Sequence, residues 1–209
     1  MSDYKDYGYY DASHSHIHSV LIPPILQLLN NSRPACILDI GCGNVALAAK
    51  LIDSGFNVYG IDASASGIEI ANRAHPGRFF VQDVSSKELP APIQHLPFDM
   101  VISTEVIEHL YRPQDLIDLA LTAFRHHQGK GHIILSTPYH GYWKNLALAI
   151  TGKMDDHFTT LWEGGHIKFW SRKSITELLA RTGFKVTDFK GTGRLPYLWK
   201  SMVVHASRS

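Results

Sequence analysis

The sequence contains few cysteines and little net charge, and each of these scarcities excludes a class of protein. Cys36 and Cys42 are the two cysteines in 209 residues. Because both fall in or beside one predicted strand, they cannot build a disulfide framework, which is typical of a reducing, cytoplasmic compartment. The formal net charge of +1 gives no electrostatic reason to expect nucleic acid or an anionic membrane as an obligatory partner.

Apolar runs of membrane-spanning length are also absent from the sequence. The early apolar stretch from Val20 to Leu26 is interrupted by Pro23 and Pro24, whereas a membrane-spanning helix needs about 20 apolar residues. The first residues lack the basic and apolar regions of a secretory signal, so we expect none. The composition is otherwise ordinary, with 44% hydrophobic residues, and the length suits one domain over residues 1–209.

Strand and helix patterns alternate after Pro34 and end with two consecutive strands. This alternation favours an α/β fold with a mostly parallel sheet that is covered by helices on both faces. The last two predicted strands have a short connection, which indicates an antiparallel last strand. The predicted strands are residues 35–40, 57–61, 78–81, 98–103, 131–136, 184–189 and 201–206, and the helices are 45–54, 65–74, 113–126 and 171–182.

Two segments fall outside this alternation. Residues 1–31 are predicted to form a loose arm (1–14) and an amphipathic helix (16–31). Residues 139–165 form an insertion that is too long for an ordinary connection and is typical of a lid or binding loop. Aromatic residues concentrated in and after the insertion suit an aromatic or apolar ligand, or equally a lid that packs its own small core.

The strongest motif is a glycine turn after the first strand, Ile37-Leu38-Asp39-Ile40-Gly41-Cys42-Gly43-Asn44. Glycine has no Cβ, so backbone N–H groups can approach a ligand closely. Gly41, Gly43 and Ala46 also satisfy the dinucleotide-binding fingerprint. Asp39 favours another ligand, because its carboxylate repels a pyrophosphate and attracts the amino group and sulfonium of S-adenosylmethionine. The alternative is that Asp39 only accepts hydrogen bonds from the amides of the turn.

Two further carboxylates follow the next two strands. Asp62 lies about 20 residues beyond the turn, where ribose hydroxyls are usually bound. Asp83 follows the third strand, where it can accept a hydrogen bond from the adenine amine. Each of these acids alone can be explained as a turn residue or a helix cap, but three at the ends of consecutive strands are harder to attribute to caps.

Residues 36–187 resemble the class I S-adenosylmethionine-dependent methyltransferases, and within them the ubiquinone-biosynthesis O-methyltransferase group. The resemblance rests on the glycine turn, the acids at Asp62 and Asp83, the segment Ser103-Thr104-Glu105-Val106-Ile107-Glu108-His109, and a histidine at His166. It implies a Rossmann-like, seven-stranded sheet and S-adenosylmethionine as cofactor, with S-adenosylhomocysteine as product. The implied cofactor-binding residues are Asp39, Gly41, Gly43, Asn44, Asp62, Ala63, Asp83, Val84 and Thr104.

Val45 departs from the pattern of this family, which usually has a third glycine at that position. A β-branched residue is expected to need a negative φ and to add bulk where the helix and cofactor approach each other. The sequence therefore predicts either weaker cofactor binding or a different local turn.

Glu105, Glu108 and His109 form an E-x-x-E-H segment after the fourth strand. On one helical turn these three side chains can converge on a cation such as Mg²⁺, and the matching positions bind a divalent cation in the resembling group. The alternative is the first turn of a helix, with acids that complement the helix dipole and with His109 packing or capping.

A hydroxyl nucleophile also needs a base or a metal to remove its proton. His166 and His109 are the predicted catalytic residues, and His140 is a further candidate. For His166, a hydrogen bond that ties the insertion to the domain remains an equal alternative.

These observations predict a methyltransferase that acts on the hydroxyl of a small aromatic or apolar acceptor, with a homodimer as one possible assembly. An RNA ribose 2′-O-methyltransferase is the first alternative, but residues 110–115 lack the additional histidine of those enzymes and there is no basic patch. A nicotinamide-dependent oxidoreductase is the second, but the chain lacks a Tyr-x-x-x-Lys pair.

Overall fold

The computed structural model describes residues 16–158, 161–162 and 165–209. Seven strands form one sheet in the order β3-β2-β1-β4-β5-β7-β6. Strand β7 pairs antiparallel with β5 and with β6, and the other pairs are parallel. The predicted architecture is confirmed. The strands are β1 (Ile37–Ile40), β2 (Val58–Asp62), β3 (Phe79–Val81), β4 (Met100–Thr104), β5 (Gly131–Pro138), β6 (Lys185–Thr192) and β7 (Ser201–Arg208).

Helices lie between the strands, as the alternation predicts. They are α1 (His16–Ser32), α2 (Ala46–Asp53), α3 (Ala65–Ala74), α4 (Pro113–Ala123), α5 (Tyr142–Ile150), α6 (Met154–Phe158) and α7 (Arg172–Arg181). The predicted helix 113–126 is too long, because the α-helix ends at Ala123 and a 3₁₀ turn, Phe124–His127, follows. The predicted arm at residues 1–14 lies outside the described residues.

Two apolar cores cover the two faces of the sheet. Successive side chains of β1 point to opposite sides, so that Leu38 packs with α4 and α7 while Ile37 packs with α1, α2 and α3. Both side chains are fully buried. A sheet that is apolar on both faces must be covered on both, which confirms the predicted helical layers.

The parallel strands bring their carboxyl ends to one edge of the sheet. Ile40 of β1 lies opposite Ile61 of β2, and Thr104 of β4 lies opposite Ser136 of β5. This edge is where open α/β sheets bind their ligands. Among the described residues, no helix combines the length and the apolar character needed to cross a bilayer.

The insertion contains helices α5 and α6, and main-chain hydrogen bonds fix its base. The His140 amide donates to the oxygen of Trp170 (2.9 Å), which joins the beginning of the insertion to the segment that follows it. Helix α5 exposes Trp143 and Ile150 to solvent, whereas the side chain of Lys144 is buried with 3% of the residue exposed. The polarity of this helix is therefore inverted relative to an ordinary amphipathic surface helix.

Candidate active site

The glycine turn adopts a left-handed backbone that favours glycine. Gly41 has φ +78° and Gly43 has φ +53°, and a Cβ atom on Gly41 would overlap Cγ2 of Val106. The amides of Gly41 and Cys42 donate to the oxygen of Ile61 at 2.8 and 3.1 Å, which holds the turn against β2. The turn thus combines a positive φ with close packing, and both conditions favour glycine at position 41.

Val45 has φ +59° and ψ +17°, so the expectation that this residue adopts a negative φ is wrong. Its amide closes the turn by donating to the oxygen of Cys42 (2.8 Å). Its side chain is 1% exposed and packs in the core with α1, α2 and α3. A β-branched residue in the left-handed region is strained, and here burial of the side chain offsets that strain.

Asp39 offers an unsatisfied acceptor beneath the glycine turn. The residue is 1% exposed, and its Oδ1 has no hydrogen-bond partner among the described residues. Burial, followed by the charge of Asp62, raises the pKa of Asp39 to about 7. A cationic ligand group at this position would supply the missing partner and stabilise the carboxylate.

The amide of Gly43 donates to Asp62 Oδ2 (2.7 Å), and the amide of Ser64 donates to Asp62 Oδ1 (2.7 Å). Asp62, at the end of β2, therefore makes the contact to the turn that the alternative interpretation assigned to Asp39. A carboxylate oxygen has two lone pairs and can accept a second hydrogen bond from a ligand hydroxyl.

Asp83 follows β3, and its Oδ1 accepts a hydrogen bond from the Ser85 amide (2.7 Å). Asn44 Oδ1 lies 3.4 Å from the Ala46 amide that it accepts from, at the start of α2. The other predicted cofactor-binding residues lie at the same edge of the sheet, at or after the ends of β2, β3 and β4: Ala63, Val84 and Thr104.

Glu105 lies outside the helical turn in which the sequence placed it with Glu108 and His109. Its φ is +54°, and the 3₁₀ turn covers Ile107–His109 only, so the expectation of one shared turn is wrong. Glu105 Oε1 accepts from the Ser136 hydroxyl (2.9 Å), and Oε2 accepts from the Ser201 hydroxyl (3.4 Å). Burial raises the pKa of Glu105 to about 7, against the effect of the two hydroxyls.

Glu108 is buried, and neither carboxylate oxygen has a hydrogen bond of ordinary length among the described residues, although the Thr137 hydroxyl is close enough to favour the ionised form. Burial, and then the charge of Glu105, raises its pKa well above the ordinary value. The main-chain oxygen of Glu108 accepts hydrogen bonds from the amides of Ile167 (2.9 Å) and Lys168 (3.0 Å). These bonds bring the segment after the insertion, including His166, to the end of β4.

Glu108, His109 and His166 each present one ligand atom, and the three atoms lie within 4.8 Å of one another. The rings of His109 and His166 have centroids 5.0 Å apart, and His109 Nε2 is 4.0 Å from Glu108 Oε1. Burial, followed by the charges of His109 and Lys144, lowers the pKa of His166 to about 4. One carboxylate and two imidazoles, one of them held neutral, form a suitable donor set for a divalent metal ion.

Lys144, Asn145 and His157 near this site were missed by the sequence analysis. Lys144 follows the exposed Trp143 on α5, and its ammonium donates to the main-chain oxygen of Lys200 (3.2 Å). The one available signal was the apolar spacing of Trp143, Leu146 and Ile150. That spacing normally marks the buried side of a helix, and here the structure exposes it.

Comparison with known proteins gives the class of this site. The family described as "Methyltransferase domain" matches residues 13–188. The magnesium protoporphyrin IX methyltransferase of Synechocystis PCC 6803, crystallised with S-adenosylhomocysteine, superposes with a TM-score of 0.67 at 20% identity, over 96% of this chain and 91% of that one. The fold and the glycine turn are those of an S-adenosylmethionine-dependent methyltransferase.

Curated relatives narrow the assignment. The ubiquinone biosynthesis O-methyltransferase of Rickettsia typhi is 32% identical over 177 residues, which cover 82% of this chain and 68% of the relative. The enzyme with the same name from Rickettsia canadensis is 30% identical over 179 residues, which cover 82% of this chain and 71% of that enzyme. The chain belongs to the methyltransferase-domain family and uses S-adenosylmethionine as its cofactor.

Proposed function

We propose that this enzyme transfers the methyl group of S-adenosylmethionine to a hydroxyl oxygen of a small aromatic or apolar acceptor. The observation that carries the proposal is the group formed by Glu108, His109 and His166 after the end of β4, a segment whose Val106 packs against Gly41 of the glycine turn. The ring centroids of Trp162 and His109 are 5.8 Å apart, so Trp162 adds an aromatic surface beside this group. The names of the O-methyltransferase relatives support the same type of acceptor.

We assign a different part of the cofactor to each of the predicted binding residues. Asp39 receives the ammonium of the cofactor, and Asp62 and Asp83 receive the ribose hydroxyls and the adenine amine. Gly41 and Gly43 have no Cβ, so they leave room for the amino-acid end of the cofactor to approach the turn. The end of β4 lies at the same edge of the sheet, so a nucleophile held there could attack the sulfonium methyl in line with the carbon–sulfur bond.

The reaction forms one oxygen–carbon bond and breaks one sulfur–carbon bond. The acceptor hydroxyl loses its proton, the methyl group moves to oxygen, and S-adenosylhomocysteine leaves. We assign Glu108, His109 and His166 to a divalent cation site, in which a bound cation would lower the pKa of the acceptor hydroxyl. With the cation bound, the hydroxyl proton would pass to solvent water. His166, which its lowered pKa keeps neutral at pH 7, has one ring nitrogen with a lone pair; that nitrogen can ligate the cation or, without a cation, accept the hydroxyl proton.

The test is methyl transfer from deuterated S-adenosylmethionine to vicinal dihydroxybenzenes, followed by mass spectrometry with Mg²⁺ or with a chelator. We expect a methylated product that requires the cation, and a loss in kcat/KM of about 100-fold for Glu108→Gln. Glu69→Gln is the matched control, because Glu69 is exposed on α3. Both variants should bind S-adenosylhomocysteine as the wild type does.

Two outcomes contradict the proposal. Methylation of a short RNA oligonucleotide, with no dihydroxybenzene methylated, would assign the acceptor to another class. Turnover that is unchanged by the chelator and by Glu108→Gln would remove the cation from the mechanism.

A further inference from the structure

The hydroxyl of Thr137 is a buried hydrogen-bond donor near the end of β5. Only 1% of the residue is exposed, and its Oγ1 makes no hydrogen bond of ordinary length among the described residues. A hydroxyl has one hydrogen to donate, and buried donors normally have an acceptor. An acceptor for the Thr137 hydroxyl is therefore expected close by.

The carboxylate of Glu108 meets this requirement. Glu108 is as deeply buried as Thr137, and its two carboxylate oxygens also lack hydrogen bonds of ordinary length among the described residues. Burial and then the charge of Glu105 raise the pKa of Glu108, and the nearby Thr137 hydroxyl acts in the opposite direction. A donor and an acceptor that both lack ordinary partners thus lie close together.

The packing of β5 places both side chains on the same side of the sheet. Successive side chains of a strand alternate between its faces, so Thr137 points to the same face as Leu135. Leu135 packs in one core with Ile107, which belongs to the 3₁₀ turn that carries Glu108. That turn also contacts β5 directly. The backbone of the strand and of the turn therefore brings the Thr137 hydroxyl and the Glu108 carboxylate together.

The neighbouring hydroxyl of β5 serves the other acid of the E-x-x-E-H segment. Ser136 Oγ donates to Glu105 Oε1 (2.9 Å), and the main-chain oxygen of Ser136 accepts from the Glu105 amide (3.1 Å). Because Ser136 and Thr137 point to opposite faces, each hydroxyl can serve only one of the two acids. Ser136 is engaged with Glu105, and this leaves Thr137 for Glu108.

We propose that Thr137 is a positioning residue for the cation site. Its hydroxyl donates to one oxygen of the Glu108 carboxylate and leaves the other oxygen to bind the cation. This inference rests on the proposed function, which assigns Glu108 to that site. A hydrogen bond to a ligating carboxylate fixes its orientation, and the loss of such a bond weakens metal binding. Thr137 acts through Glu108 and touches neither the cation nor the methyl acceptor.

The test measures the binding of Mn²⁺ alone to the whole enzyme loaded with S-adenosylhomocysteine, so turnover is not required. Free Mn²⁺ is followed by electron paramagnetic resonance. Thr137→Val keeps the branched shape and removes the hydroxyl, and we expect it to bind Mn²⁺ about tenfold more weakly. Thr137→Ser keeps the hydroxyl and should restore most of the affinity. Each variant should bind S-adenosylhomocysteine as the wild type does, which separates a lost orientation of Glu108 from a general disturbance of the fold.

Two further variants serve as controls. Thr187→Val makes the same change in β6, where the hydroxyl donates to the main-chain oxygen of His205 (3.2 Å), and it should bind Mn²⁺ as the wild type does. In a Glu108→Gln background, Thr137→Val should cause little further loss, because the hydroxyl acts through that carboxylate. An equal loss in both backgrounds overturns the inference.

A second measurement does not depend on any variant. In a crystal structure of the wild type with Mn²⁺ and S-adenosylhomocysteine, we expect Thr137 Oγ1 at about 2.7 Å from the Glu108 oxygen that does not bind the ion. A Thr137 oxygen that binds Mn²⁺ directly, or one that lies more than about 3.5 Å from both Glu108 oxygens, overturns the inference.

The outcomes separate this inference from the proposed function. If Glu108→Gln weakens Mn²⁺ binding and Thr137→Val does not, the inference fails while the cation site stands. If Thr137→Val and Glu108→Gln both weaken binding but methyl transfer ignores the cation, the inference stands while the role of the cation in the reaction fails. If the wild type binds no Mn²⁺, both fail together.

Discussion

The main-chain oxygen of Glu108 accepts a hydrogen bond of 2.9 Å from the amide of Ile167. This bond joins the end of β4 to the segment after the insertion, and it places the side chain of His166 beside those of Glu108 and His109. Because main-chain atoms make the contact, side-chain substitutions at Glu108 and His166 should leave the segment in place.

We therefore predict that Glu108→Gln and His166→Gln are strongly non-additive in kcat/KM. If both side chains serve one cation, each single variant should lose about 100-fold, and the double variant should lose little more than the worse single one. Steady-state kinetics over a range of Mg²⁺ concentrations checks this prediction. Losses that multiply in the double variant would show that the two residues act independently.

Binding of S-adenosylmethionine should release a proton from Asp39. Its folded-state pKa is raised to about 7, so the free enzyme is partly protonated at neutral pH, whereas the ammonium of the cofactor favours the carboxylate. Affinity should consequently rise with pH, and should be about tenfold lower at pH 6 than the plateau value. Calorimetry in buffers with different ionisation enthalpies measures the released proton.

Asp39→Asn should bind the cofactor at least about tenfold more weakly at pH 7.5, because it removes a charge-assisted contact. It should also bind with little dependence on pH. Asp53→Asn, an exposed change in α2, is the control and should behave as the wild type. Proton release retained in Asp39→Asn would assign the effect to another group.

Val45→Gly should be nearly neutral for the free energy of unfolding. The substitution relieves backbone strain of about 1–3 kcal/mol and loses the burial of a valine side chain, worth about 1.5–3 kcal/mol. Val101→Gly in β4, where Val101 is equally buried, loses burial without relieving left-handed strain. We expect the two variants to differ by about 2 kcal/mol in chemical denaturation. Equal losses would contradict the strain at Val45.

His205 should make the fold sensitive to mild acid. Its Nε2 lies 3.0 Å from His132 Nδ1, and burial, followed by the charge of His132, lowers the pKa of His205 against the effect of Asp188. As the pH falls, His205 is protonated at a higher pH in the unfolded chain than in the folded protein, so acid favours the unfolded chain. Stability should therefore decrease below about pH 6.5, by at most about 1.4 kcal/mol per pH unit.

Urea denaturation at pH 7.5 and pH 5.5 measures this dependence. His205→Gln should lose less stability between the two pH values than the wild type. The exposed histidine His95 provides the control His95→Gln, which should lose as much as the wild type. An unchanged dependence in His205→Gln would show that other groups cause the acid sensitivity.

Local sequence patterns predicted the succession of strands along the chain but not where each strand begins and ends. Strand β5 was predicted to end at residue 136 and continues to Pro138. Its pairing with β7 extends as far as Pro138 opposite Ser201, and such long-range pairing leaves no signal in a short window. Pro138 suits the end of a strand, and the sequence alone does not show how far the partner strand continues.

The cofactor side of the site was easier to predict than the acceptor side. Asp39 and the glycine turn are neighbours in the sequence, so their geometry follows from one short strand and its turn. Glu105 is not one of the three residues whose ligand atoms come together, and its carboxylate instead accepts hydrogen bonds from Ser136 and Ser201 on two other strands. Lys144 was missed because α5 buries its charged residue, contrary to the usual pattern.

The position of β7 also constrains the order in which the enzyme is assembled during synthesis. This strand follows both β5 and β6 in the chain and leaves the ribosome after them, yet it lies between them in the sheet. Strand β6 must therefore wait for β7 before it can join. Ser201, at the start of β7, donates a hydrogen bond to the Glu105 carboxylate. The main-chain oxygen of Lys200, the residue before it, accepts a hydrogen bond from the Lys144 ammonium. The nascent chain can thus complete its cofactor edge first, and it becomes competent for an acceptor only when this strand is inserted.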